Sequence, residues 1–380
     1  MILVWRTSAA LLAIVSVLVG CSRPHAVPIS RDLSATPRSR TLNVYQWADY
    51  FDPEVLKDFQ RETGIEVIYN TFDSQDMMEA KMLTGSTGYD VVDVASYAID
   101  RLVKAGVFQK LDRTRLPRWG NLDPDLMRVL ERFDPQNLYA AGYLWGTTGI
   151  AYKVHALKTA VPDAPMDSWA LVFDPQYAAR AARCGISFNS DRMEIIGNAL
   201  IFSKADPNHP SEKEFAAAEA ALQGIRSHVR RIDGPSQISD MAAGSMCLYL
   251  SAGTAVVVAR RLAKEAGVDA DLRYVIPKEG AVSWFDVLAI PKGAPHATEA
   301  YEFLDYLLRP EIAARNANFT GSATVNRAAL QFVEPNLRND KMFYPDAAVL
   351  ATLKPLQSRD SEQARAESKL WTRFQFNSSR

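Results

Sequence analysis

The chain has little of what several protein classes require. Three cysteines in 380 residues cannot build a disulfide-dense scaffold. Neither sign of charge is in excess: 43 lysines and arginines face 44 aspartates and glutamates, for a formal net charge of −1. The basic field that nucleic-acid binding needs is therefore missing. Downstream of the first twenty residues no apolar run is long enough to span a bilayer as a helix, which excludes a multi-span helical membrane protein. The five histidines (25, 155, 209, 228 and 296) are scattered, with no HExxH and no cysteine-rich metal spacing. No GxSxG marks a nucleophile elbow. Gly85-Ser86-Thr87-Gly88 lacks the lysine of a phosphate-binding loop and reads as a loop after a helix. With no nucleophile beside a base, the chain is expected to bind rather than react, without a cofactor or metal. An extracytoplasmic hydrolase is the remote alternative.

What is present is an ordinary folded composition, 48% hydrophobic and 23% charged, long enough for two or three domains with their own cores. Arg6 is the only charge before Cys21, and Thr7–Val19 is an uninterrupted small and apolar stretch. As a helix that stretch reaches about 20 Å, short of a hydrocarbon core of about 30 Å and of the length of a signal-peptide core. It closes on Leu18-Val19-Gly20-Cys21, which resembles a bacterial lipobox. The expectation is a lipoprotein leader over 1–20, with Cys21 acylated and the mature chain outside the cytoplasm. Residues 21–40 contain Pro24, Pro28 and Pro37 and four arginines against one aspartate. They read as a flexible tether suited to an anionic membrane surface.

From Thr41 the pattern is strand, helix, strand. Leu42 and Val44 alternate with Asn43 and Tyr45, and Asp52-Pro53 caps and opens a helix. Val55, Leu56 and Phe59 form its apolar stripe, Gly64 ends it, and Ile65–Tyr69 is the next strand. Tyr89–Val94 continues the alternation, and the whole argues for an α/β sheet flanked by helices. Further strands are expected at 149–152, 185–188, 246–250, 273–276 and 283–290, and helices at 195–202, 212–227, 256–266 and 298–308. Cys184 and Cys247 both fall in strand-like segments. In an oxidising compartment they form either a disulfide or two separate buried thiols.

Three segments set a carboxylate beside an aromatic ring at the end of a strand or the start of a helix. Tyr45–Tyr50 carries Trp47, Asp49 and Tyr50 out of the opening strand into a loop, where ligands of open α/β sheets bind. Asp191 and Glu194 are three apart and share a helical face, although Asp-x-x-Glu is also a capping box. In Ser283–Ile290, period-two alternation sends Trp284 and Asp286 to one face, where an ionised carboxylate is costly unless it is paired. Acids and rings together suit an organic polycation: carboxylates for its ammonium groups, rings for its cationic and methylene surfaces.

These residues also carry a family likeness. YQWADYFDPEVLKDFQRETGIEVIY, GSTGYDVV, AGVFQKLD, NLDPDL, WGTTGIAY, FDVLAIP and LLRPEIA resemble the periplasmic spermidine/putrescine-binding proteins of ABC importers, over about Thr41–Asn326. The resemblance implies a type II periplasmic-binding fold of two lobes, each a mixed sheet flanked by helices, joined by crossing strands and closing on the ligand. It implies lobe 1 over 41–149, lobe 2 over 150–286, a return to lobe 1 over 287–330, and a C-terminal helical segment packing on the lobes over 331–380. It further implies a polyamine ligand, an ABC permease as partner, a monomer, and a membrane-anchored periplasmic lipoprotein. By position, Trp47, Asp49, Tyr50, Tyr97, Asp191, Glu194, Trp284 and Asp286 match ligand-binding residues. Tyr97, the Asp-x-x-Glu pair and the Trp-x-Asp pair favour spermidine over putrescine. Cys184 and Cys247 match a disulfide of the putrescine-preferring branch. The chain departs from the pattern at Ala48, Ala252, Ala255 and Ser322, which removes at least one aromatic wall and one end cap. A different organic cation, or sensing in place of import, is the alternative those departures leave.

Overall fold

The structure is a computed structural model, and it describes residues 40–376. The expected leader, the Cys21 acylation site and all but the end of the tether lie outside the described residues. Among the described residues no helix is long and apolar enough to cross a membrane.

Eleven strands form the sheet: β1 (Arg40–Trp47), β2 (Ile65–Phe72), β3 (Val91–Ala95), β4 (Ala140–Lys153), β5 (Ile186–Phe188), β6 (Arg231–Ile232), β7 (Leu248–Ala252), β8 (Leu272–Val275), β9 (Val282–Ala289), β10 (Ala323–Thr324) and β11 (Lys354–Pro355). The opening unit forms for the reasons its sequence suggests. Asp52 accepts a hydrogen bond from the Glu54 amide at 2.9 Å, Pro53 starts the helix Pro53–Thr63, and Gly64 ends it in the left-handed region at φ 69°. Val55 and Phe59 bury its inner face, and β2 returns parallel to β1.

Strand order is β2-β1-β3-β9-β4-β7-β5-β6, with β8 and β10 on β4 and β11 on β9. Two strands cross between the halves of this order. β9 runs antiparallel to β3 through Ala289–Asp286, and the whole of β9 runs antiparallel to Ala140–Thr148 of β4. From Thr148 onward β4 also pairs with Ala252–Leu248 of β7. β4 and β9 therefore serve both halves of this strand order, and the expected divisions at 149/150 and 286/287 fall inside them. β4 is much longer than the expected 149–152. Its earlier half is buried on both sides, so it shows no alternation, and it carries Gly142 and Gly146. The structure reads them as close approaches: a Cβ on Gly146 would lie 2.5 Å from the Trp284 ring.

The chain after residue 330 forms two short helices, β11 and the helix Ser361–Phe376. That last helix packs on Arg192–Phe202 and Glu212–Ile225. Arg359 and Glu367 form an ion pair beneath it with only 2% of each side chain exposed.

Cys184 and Cys247 are joined by a disulfide across 63 residues, flanking β5 and β7. In the chain-entropy picture a loop of that length is worth about 4 kcal/mol. The double variant Cys184→Ser/Cys247→Ser is expected to unfold at lower urea concentration by a corresponding margin. Equal midpoints for oxidised wild type and double variant would show that the crosslink contributes nothing to stability.

Candidate functional site: an acidic, ring-lined cleft

A cavity of about 390 Å³ opens where the C-terminal ends of β1 and β3 face the start of the helix Arg192–Phe202. All eight residues expected to meet the ligand line it, and so do Ala48, Ala252 and Ala255. Ser322 is not among its lining residues; it is fully buried, with a hydroxyl that has no protein partner. A larger but shallow depression between Arg260 and Leu272 has no aromatic lining. No group of side chains among the described residues is arranged to hold a metal ion.

The first wall comes from the loop after β1. Trp47 leans on Phe72 with ring centroids 4.5 Å apart, and its amide donates to the Gln46 side chain at 2.8 Å. Asp49 is exposed at the mouth and takes a positive φ of 55°, which aspartate tolerates better than most residues. Tyr50 turns inward. Its hydroxyl donates to Asp286 Oδ2 at 2.5 Å, while its carbonyl accepts from the Tyr143 hydroxyl at 2.8 Å.

Tyr97 sits at the start of the helix Ser96–Lys104, held from behind where the Ser358 hydroxyl donates to its carbonyl. Its own hydroxyl donates to Asp191 Oδ2 at 2.9 Å. Asp191 caps the helix Arg192–Phe202, accepting from the Glu194 amide through Oδ1 at 3.0 Å. Glu194 does not complete a capping box. Its Oε2 instead accepts from Thr148 Oγ1 and Asn189 Nδ2, both at 2.7 Å. The pair thus divides the two roles its spacing allows: Asp191 is a cap with one oxygen turned to the first wall, and Glu194 is a buried acid. Thr148 and Asn189 come from other segments, and no sequence signal linked them to Glu194.

Trp284 and Asp286 lie on one face of β9, buried to 6% and 5% exposure. Burial, with the charge of Asp191 beside it, pushes the Asp286 carboxyl up to about 7 against the pull of the Tyr50 hydroxyl. Burial and the charge of Asp191 push Glu194 up to about 8, despite its two donors. Burial also raises Asp191. Among the described residues no lysine or arginine pairs with these three acids. The two arginines that line the cleft are committed elsewhere, Arg101 to Glu79 and Arg192 to Asp76 at 3.3 Å. Uncompensated buried carboxylates are costly, and such shifts gather at functional sites. The cleft is complementary to a cation.

The solute-binding family model, described as bacterial extracellular solute-binding protein, matches residues 54–343. The chain belongs to that family. As a member of the bacterial extracellular solute-binding proteins it is a binding protein and not an enzyme. Among its relatives, the putrescine-binding periplasmic protein PotF of Escherichia coli is 37% identical over 336 residues, covering 88% of this chain and 91% of the relative. The putrescine-binding periplasmic protein SpuD of Pseudomonas aeruginosa is 39% identical over 337 residues, covering 88% and 92%. The structure of a putative spermidine/putrescine ABC transporter protein from Listeria monocytogenes superposes with a TM-score of 0.79 at 32% identity, covering 89% of this chain and all of that one.

Proposed function

We propose that this solute-binding protein captures a polyamine in the periplasm and delivers it to the permease of an ABC importer. The observation that carries the reading is the convergence of Asp191, Glu194 and Asp286 on one buried cleft in which, among the described residues, no lysine or arginine pairs with them. Trp47, Tyr97 and Trp284 supply faces for the methylene segments of such a ligand. Three inner acids, with Asp49 at the mouth, suit two or three ammonium groups, and spermidine fits them better than putrescine. The names of the relatives support the ligand class and the transport role. We further propose that the chain is held at the membrane by an acylated Cys21, that it acts as a monomer, and that the lobes close about the crossing strands β4 and β9.

Ala252, Ala255, Val258 and Ile238 leave one side of the cleft aliphatic and roomy, which favours as a second reading an organic cation bulkier than spermidine. A thermal-shift panel of spermidine, putrescine, spermine and agmatine on mature, ligand-free protein tests both, because a ligand that binds only the folded form raises its melting temperature. Spermidine is expected to give the largest shift. No shift from any of the four at millimolar concentration would defeat the polyamine reading.

A further inference from the structure

A fourth buried acid lies behind the cleft. Asp93 on β3 is fully buried, and neither carboxylate oxygen has a protein hydrogen-bond partner among the described residues. Its neighbour in sequence shows the contrast. Asp90, equally buried, accepts from the Asn43 amide at 2.8 Å and the His296 amide at 2.7 Å. β3 and β9 pair so that Ala95 is opposite Asp286 and Asp93 is opposite Leu288. Asp93 therefore lies on the same face as Asp286, one pleat repeat deeper, roughly 7 Å along the strand.

The tyrosine hydroxyls whose titration Asp93 influences are already used. The Tyr50 hydroxyl goes to Asp286, the Tyr143 hydroxyl to the Tyr50 carbonyl, and the Tyr69 hydroxyl to the Trp47 carbonyl. The Gln46 side-chain oxygen is taken by the Trp47 amide, while its Nε2 is buried and unpartnered. The groups that act on Asp93 are Asp286 from β9, which raises its carboxyl, and the Gln46 side chain from β1, which lowers it; Asp93 in turn raises the hydroxyls of Tyr50 from the loop after β1, Tyr69 from β2 and Tyr143 from β4. None of them is a cation. Burial and the charge of Asp286 hold the Asp93 carboxyl well above the usual carboxylate range, against the pull of the Gln46 side chain.

We propose that Asp93 is a reserve carboxyl of the binding site, neutral beneath Asp286 in the empty cleft and giving up its proton to solvent when a ligand with two closely spaced ammonium groups settles on Asp286. The O–H bond of Asp93 breaks, the proton passes to buffer, and the new carboxylate faces the ligand's second charge from one pleat repeat deeper. This makes Asp93 a specificity-determining residue that favours ligands with an aminopropyl arm, such as spermidine, over a simple diamine. The inference rests on the polyamine reading of the cleft.

The test is calorimetric titration of full-length mature protein at pH 8 in two buffers of different ionisation enthalpy, with spermidine and putrescine on wild type and Asp93→Asn. With spermidine, wild type is expected to release between about half a proton and one proton more than the variant, and to bind about tenfold more tightly. With putrescine the two are expected to agree within about twofold. Equal proton release and equal affinity for spermidine in the two proteins would overturn the role of Asp93. Absence of binding by either ligand to wild type would instead remove the polyamine reading, and the inference with it. Should the variant fail to fold, infrared difference spectra of wild type decide the matter. Loss of a protonated-carboxyl band from an aspartate on adding spermidine, and its persistence with putrescine, supports the assignment. Persistence with both ligands refutes it.

Discussion

Replacing Asp286 with asparagine is expected to abolish the polyamine-induced thermal shift while raising the melting temperature of the empty protein at pH 8. The two effects have one cause. Asp286 is buried, its carboxylate accepts a single hydrogen bond among the described residues, from Tyr50, and burial pushes its carboxyl up to about 7, far above an unfolded aspartate. A raised carboxyl pKa means that the folded form holds the proton more tightly than the unfolded chain. Stability is then greatest below the unfolded pKa and declines as pH rises toward the folded one. At pH 8 the empty wild type bears the full cost of an ionised acid in an apolar strand, and an uncharged isostere does not. The ligand, in turn, loses a charge partner in a water-poor site. Breaking such a pair costs about 3–5 kcal/mol, roughly a hundredfold to several thousandfold in affinity. Melting curves of wild type and Asp286→Asn, with and without spermidine, read both at once. A ligand shift that survives the substitution would place the ammonium group elsewhere.

The second large effect is on pH. Asp286 titrates near 7 and Glu194 near 8 in the empty cleft. Alkylammonium groups of the lysine type remain charged throughout this range. A bound cation draws both carboxyls toward ionisation, so binding releases protons. Affinity should therefore rise by about tenfold per pH unit from 6 to 7 for each proton released, and level off above 8. The ligand-free protein should move the opposite way, losing thermal stability between about pH 5 and pH 8 as the same acids are forced to ionise without a partner. Titrations and melting curves at pH 6, 7 and 8 check both. A flat affinity profile would mean that the inner acids are already ionised before the ligand arrives.

Much of this architecture was legible because local chemistry and global fold agree. Asp52, Pro53 and Gly64 do at the ends of the first helix what their conformational preferences dictate. The alternation in Ser283–Ile290 placed Trp284 and Asp286 on one face, and they are together in the cleft. Where both faces of a strand are buried the signal disappears, and the first half of β4 went unread for that reason. Asp191 and Glu194 could not be separated by spacing, since a cap and a ligand-facing acid share it; the difference lies in Asn189, just before the helix, and in Thr148, which only folding brings near. Asp93 is the instructive omission. An acid amid Val91, Val92 and Val94 raises the same question of an unpaired carboxylate as Asp286 does, yet no ring stands beside it in sequence to draw attention. The committed guanidinium groups of the cleft lining, Arg101 and Arg192, depend on partners from other helices and had no local signature.

The contact between Gly146 and Trp284 bears on how relatives of this protein diverge in what they capture. With the indole occupying the space a Cβ would need, the backbone of the crossing strand itself forms the bed on which that ring lies. A side chain introduced there would lift the indole and tilt both ribbons that pass from one half of the molecule to the other. Cargo preference is therefore free to drift at places such as Ala255, which lies on the helix after β7 and off these ribbons, whereas the bed must stay bare. New appetites should be sought along the sides of the vessel and not in its keel.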